Sequence, residues 1–154
     1  KIKILKSEIV NLDSLDKPVG ETYQVEMNMY DNLNHDRLGF NPFILNQITT
    51  NPFKLPERDY PVDWGMPSDV RYVLSMHLPA QYEVENPPKT VAFTMPNQGG
   101  KFFTNFEGDN QAFIFSYVTQ FNKSVYGAEE YPYLKELYNK IILSEKNEIV
   151  LKKK

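Results

Sequence analysis

Ser75 and His77 stand two residues apart in the run Val70-Arg71-Tyr72-Val73-Leu74-Ser75-Met76-His77. A hydroxyl and an imidazole on one strand face are the residue types of a nucleophile and its base. Nucleophilic serine also needs an orienting acid and an oxyanion hole, and no G-x-S-x-G turn surrounds Ser75. The pair is therefore expected on a solvated strand face, with no catalytic residue assigned. Asp31, Asn32, Asn34, His35 and Asp36 place oxygen ligands within six residues, a set calcium favours. The central glycine and distal glutamate of an EF-hand are missing, so a polar turn is the expected reading. His35 and His77 are the only histidines and lie far apart, a poor basis for zinc. No metal and no cofactor is expected. Glu83/Glu85, Asp109/Glu107 and Glu129/Glu130 resemble the carboxylate pairs of glycoside hydrolysis. Each also has a local explanation, in a wet strand face, a turn and a helix start. Trp64, with Tyr60, Tyr72 and Tyr82, could build an aromatic platform for a glycan or peptide. Aromatics in a β-rich chain more commonly fill its core.

Most of these residues fall on short extended segments. Lys1 to Ile4 alternates briefly, and residues 1–20 read as a linker or first strand ending in a turn-rich stretch from Asn11 to Gly20. Tyr23, Val25, Met27 and Met29 alternate with polar neighbours, the period of a strand with one wet face. Pro42 limits Phe40–Thr49 to a strand start or edge, followed by a buried strand through Phe43-Ile44-Leu45 and Ile48. Tyr60–Gly65 reads as a short edge strand, since Pro61 cannot donate to a central ladder. Val70, Tyr72, Leu74, Met76 and Leu78 form the longest strict alternation, with Arg71, Val73, Ser75 and His77 on the other face. Shorter extended pieces follow at Tyr82–Glu85 and Val91–Met95. Phe102–Glu107 and Gln111–Phe121 read as a hairpin around Gly108-Asp109-Asn110.

One segment changes period. Leu134, Leu137, Tyr138, Ile141 and Glu145 share a helical stripe in which only Glu145 is polar, so an amphipathic helix is expected near 129–146. Glu129, Glu130 and Pro132 suit its first turn. Ile149-Val150-Leu151 then runs into Lys152-Lys153-Lys154, a solvated tail.

Composition agrees with this pattern. The 154 residues are 41% hydrophobic and 24% charged, a globular balance. Ten Tyr, ten Phe and eleven Pro suit short strands better than a helical bundle. A net charge of -3 gives no general attraction to nucleic acid or anionic lipid. No run approaches the length of a membrane-spanning helix, so no membrane insertion is expected. Cysteine is absent, which excludes disulfides and a thiolate nucleophile. The chain begins at Lys1 and reads as an excised fragment or mature segment. The expected fold is mainly β: an antiparallel β-sandwich of about seven to eight strands with one C-terminal α-helix, forming a single domain over 1–154.

Several segments resemble a known family. They are Asn51-Pro52-Phe53-Lys54-Leu55-Pro56-Glu57-Arg58-Asp59-Tyr60-Pro61-Val62-Asp63-Trp64-Gly65, Leu78-Pro79-Ala80-Gln81-Tyr82-Glu83-Val84-Glu85-Asn86-Pro87-Pro88-Lys89, the Gly99-Gly100 turn, Glu129-Glu130-Tyr131-Pro132-Tyr133-Leu134-Lys135-Glu136-Leu137-Tyr138-Asn139-Lys140, and Ile149-Val150-Leu151-Lys152-Lys153. Together they resemble the uncharacterised C-terminal domain of multidomain transglutaminase-like proteins of Gram-negative bacteria. The resemblance covers roughly residues 50–154, and its motifs are structural punctuation rather than catalytic signatures. It implies an intramolecular partner, a Cys-His-Asp transglutaminase-like domain, and a periplasmic or cell-surface location. It carries over no catalytic residue, because this chain has no cysteine. The expected function is a non-catalytic accessory domain supporting that neighbour. The alternative is an autonomous glycan- or peptide-binding module using Trp64, Tyr60, Tyr72 and Tyr82.

Overall fold

A computed structural model describes residues 2–27, 36–43, 47–109 and 111–154. The chain falls into two compact units, Lys1–His35 and Asp36–Lys154.

The first unit is a hairpin. Strand β1 (Ile2–Val10) pairs antiparallel with β2 (Gly20–Met27), with a register shift between Ile4 and Lys6. The turn-rich stretch between them is tied by the Asn11 side chain, which donates to the Pro18 carbonyl at 3.1 Å. Alternation sorts the ribbon into two faces. Ile2, Ile4 and Ile9 share one face with Tyr23, Val25 and Met27. Lys3, Lys6 and Glu8 share the other with Gln24 and Glu26.

The second unit holds strands β3 (Arg37–Phe40), β4 (Val62–Asp63), β5 (Ser68–His77), β6 (Tyr82–Asn86), β7 (Val91–Thr94), β8 (Gly100–Gly108), β9 (Ala112–Phe121) and β10 (Val125–Tyr126), then helix α1 (Tyr131–Glu145) and strand β11 (Ile149–Lys153). A four-stranded sheet runs β5-β9-β8-β7, a three-stranded sheet β3-β11-β6, and β10 pairs with β4. All pairings are antiparallel. The fold is mainly β with a C-terminal helix, as expected, and has more strands than the seven to eight read from periodicity.

The four-stranded sheet has a distinct inside. Phe113, Phe115, Tyr117, Thr119 and Phe121 on β9 are buried, as are Phe102 and Thr104 on β8. Helix α1 packs against β8 and β7 with Leu134, Leu137 and Ile141 inward. The stripe expected over 129–146 is thus the buried face of a helix spanning 131–145, preceded by one short helical turn at Ala128–Glu130.

Strand β3 ends at Phe40, before Pro42, and a buried strand is expected after that proline. The backbone N–H of Phe43 donates to the Asn41 side-chain oxygen at 2.8 Å, closing a local turn. Residues 44–46 of that expected strand lie outside the described residues, as do Asp31, Asn32, Asn34 and His35 of the expected polar turn.

Candidate functional site

Ser75 and His77 are exposed on the outer face of edge strand β5, where alternation put them. With Glu107, Gly108, Ala112, Phe113 and Ile114 they line an open cavity of about 310 Å³. The three polar groups do not form a relay. Ser75 lies opposite Ile114, and Ile114 lies opposite Glu107, so two inter-strand spacings, roughly 10 Å, separate the serine and glutamate backbones. The Glu107 carboxylate instead accepts from the Asn105 amide at 2.6 Å, and the Asn105 oxygen accepts from Thr90 at 2.9 Å.

Glu85, Asp109 and Glu130 also have local partners. Arg37 makes a two-pronged contact with Glu85, 2.7 Å on each arm, and holds that carboxyl below its ordinary range. Asp109 accepts the backbone N–H groups of Gln111 and Ala112 and is likewise lowered. Burial works against ionisation of Glu130, but Lys123 at 2.7 Å and the Gly127 N–H at 3.1 Å outweigh it, leaving the carboxyl lowered. Among the described residues, no three His, Asp or Glu side chains converge as a metal site.

The four aromatics of the platform reading lie on separate segments. Trp64 stacks on Phe121 with ring centres 4.3 Å apart and meets Tyr138 edge-on. Tyr72 faces inward, stacks on Phe43, and donates its hydroxyl to the Pro42 carbonyl at 2.7 Å. Tyr82 is buried in β6, and Tyr60 is exposed in the loop before β4.

The concentrated chemistry lies at the C-terminal end of α1. Glu145, the one polar member of the helix stripe, is only 2% exposed. One carboxylate oxygen accepts the Tyr117 hydroxyl at 2.8 Å, and the other accepts the Ile48 backbone N–H. No ion pair among the described residues involves Glu145. Burial therefore raises its carboxyl above the usual range, with the two donors opposing the shift. Burial, then the hydrogen bond to Glu145 and its charge, pushes Tyr117 upward, and burial with the Glu145 charge raises Tyr138. Both phenols stay protonated at neutral pH. The cluster has the donors and acceptors of an acid–base site but lacks solvent access, so it works as an internal fastener.

Two matched clips extend that fastening along the helix. Asn41-Pro42-Phe43 and Asn51-Pro52-Phe53 repeat a tripeptide ten residues apart. In each, the asparagine oxygen accepts the phenylalanine N–H, at 2.8 and 2.9 Å. In each, the asparagine amide donates to a carbonyl of α1: Asn41 to Glu145 at 2.8 Å, Asn51 to Lys135 at 2.9 Å. Each phenylalanine then enters an aromatic cluster, Phe43 against Tyr117 and Phe115, Phe53 against Tyr131 and Tyr138. The repeated tripeptide was the signal available in the sequence; the helix carbonyls it would reach were not visible there.

No curated protein and no solved structure gives a significant match to the chain. A family of domains of unknown function, one with a solved structure, matches residues 35–151. That span covers nearly all of the second unit and stops short of the hairpin. The chain belongs to this family, DUF3858.

Proposed function

We propose that the chain is a non-catalytic accessory domain that packs against and supports a neighbouring transglutaminase-like domain in an exported, periplasmic or surface-attached bacterial protein. The observation that carries this reading is the hairpin. Ile2, Ile4, Ile9, Tyr23 and Val25 on its apolar face are between 38% and 60% exposed. An isolated two-stranded ribbon is marginal in water, and an apolar face of this kind suits burial against a further folded body. The resemblance of residues 50–154 names that body. With no cysteine in the chain, a Cys-His-Asp centre would belong to the neighbour.

The test is thermal unfolding of a parent protein containing both domains. Ile4→Lys combined with Val25→Lys would lower the melting temperature of the transglutaminase-like domain by several degrees, since each kcal/mol of lost support shifts a domain of this size about 2–4 °C. The transition reported by Trp64 would stay in place. An unchanged neighbour transition would remove the reading.

A further inference from the structure

The four-stranded sheet has two unequal edges. Strand β7 is four residues long and lies between Pro88 and Pro96, which blunts it. Strand β5 is ten residues long and contains no proline, glycine or lysine. One side of it forms a full ladder with β9. Among the described residues no strand pairs with its other side, and no further backbone hydrogen bond reaches Asp69–His77. Val70 is 53% exposed and Val73 is 65% exposed. A long, regular edge without proline, glycine or lysine, and with exposed valines, is a template for another strand.

The residue order along β5 identifies that strand. In an antiparallel copy centred on Val73, Asp69 faces His77, Val70 faces Met76, Arg71 faces Ser75, and Tyr72 faces Leu74. Val73 faces its own counterpart. Apolar residues meet apolar residues on both sheet faces, and each carboxylate meets an imidazole. Opposite partners must have the same ladder orientation, so the competing registers differ by two residues. Sliding one way sets Arg71 against His77 and Val73 against Ser75. Sliding the other way sets Arg71 against Val73 and Asp69 against Ser75. The Val73-centred register alone avoids these mismatches while pairing Asp69 through His77. The Asp69 carboxylate already receives Arg71 and Gln120 and has capacity for another donor.

We propose that β5 pairs antiparallel with β5 of a second copy of this chain, centred on Val73, joining two four-stranded sheets into one of eight strands about a two-fold axis. The pairing stands independently of the accessory-domain reading.

The absence of native cysteine makes the register directly measurable. Directly opposed residues bring their Cα atoms to about 4.5–5.5 Å, within disulfide range. Under mild oxidation, Val73→Cys in the full chain would form a covalent dimer of twice the 18.0 kDa chain mass. Ser75→Cys would cross-link at least tenfold less, because its counterpart sits four residues away along the partner, about 13 Å. Sedimentation of the unmodified chain at roughly 0.1 mM, where a weak contact is populated, would give a dimer. Val73→Lys would give a monomer with its Trp64 transition intact, and mixing it with Val73→Glu would restore a dimer. A wild-type monomer at that concentration would overturn the proposal, including the case in which an extended strand of another protein uses this edge. Equal cross-linking of the two cysteine variants, or a Val73→Lys dimer, would also overturn it. Should Val73→Lys fail to fold, the cysteine comparison decides alone.

Discussion

The Tyr117 hydroxyl on β9 donates to the buried Glu145 carboxylate across 2.8 Å, linking the centre of the large sheet to the last residue of helix α1. The contact is made at the negative end of the helix dipole, and among the described residues no cation pairs with the carboxylate. The native Glu145 carboxyl is raised above its unfolded value. It therefore contributes stability that is fully present below the ordinary glutamate range and is lost as pH rises through the native value. Glu145→Gln removes the ionisation and keeps an oxygen for Ile48 and an amide for Tyr117. Its stability at pH 7 should equal or exceed wild type, and the difference between the two should shrink on acidification toward pH 4. Glu145→Ala leaves the Ile48 N–H and the Tyr117 hydroxyl without partners beside a cavity and should cost about 2–5 kcal/mol. Chemical denaturation across pH would show both effects; a Gln variant several kcal/mol weaker than wild type at pH 7 would refute the account.

The paired Asn-Pro-Phe clips predict a second result. Asn51→Ala and Asn41→Ala should each destabilise the second unit by about 1–3 kcal/mol, through loss of a turn acceptor and a helix-directed donor. Asn51→Asp keeps the turn acceptor but sets a carboxylate beside the Lys135 carbonyl and the Asn139 side-chain oxygen. It should be at least as damaging as alanine. A near-native melting temperature for Asn51→Asp would show that the bridge to the helix contributes nothing.

What the sequence disclosed follows from the range of the interactions. The inward set Tyr72, Leu74 and Met76, the β8–β9 hairpin, and the Leu134/Leu137/Ile141 stripe are local periodicities, and all were readable. The order β3-β11-β6 was not, because it joins a four-residue strand to one more than a hundred residues later. The Asn41 side chain that accepts the Phe43 N–H was not legible either, because a side chain-to-backbone turn leaves no trace in hydrophobic periodicity. Glu145 stood out only as the flaw in an otherwise apolar stripe. Nothing within a few residues of it could indicate Tyr117 or Ile48 as its partners. The Trp64–Phe121 stack was not legible, because the two residues are far apart in sequence.

Gly108 supplies a third test. Its φ of +152° lies where side chains are strained, and an added Cβ would stand 2.4 Å from the Ala112 carbonyl oxygen. Gly108→Ala should cost about 1–3 kcal/mol. Hydrogen exchange should rise first at the β8–β9 turn. Unchanged stability would mean that the turn has an alternative geometry.

Trp64, the only tryptophan, stacks within the second unit and should report its unfolding alone. Emission should shift once, cooperatively, with denaturant. His77→Ala and Ser75→Ala, both on an exposed face, should stay within about 0.5 kcal/mol of wild type. A larger loss would indicate a contact absent from the described residues.

The second unit is closed by its own ends: Arg37–Phe40 lies beside Ile149–Lys153, which in turn holds Tyr82–Asn86. The β8–β9 hairpin joins neighbours in the chain, whereas β3 meets β11 only across more than a hundred residues. Contacts spanning so much chain are slow to form, so closing this sheet belongs late in folding, and Leu151→Pro in the middle strand would loosen both of its neighbours together.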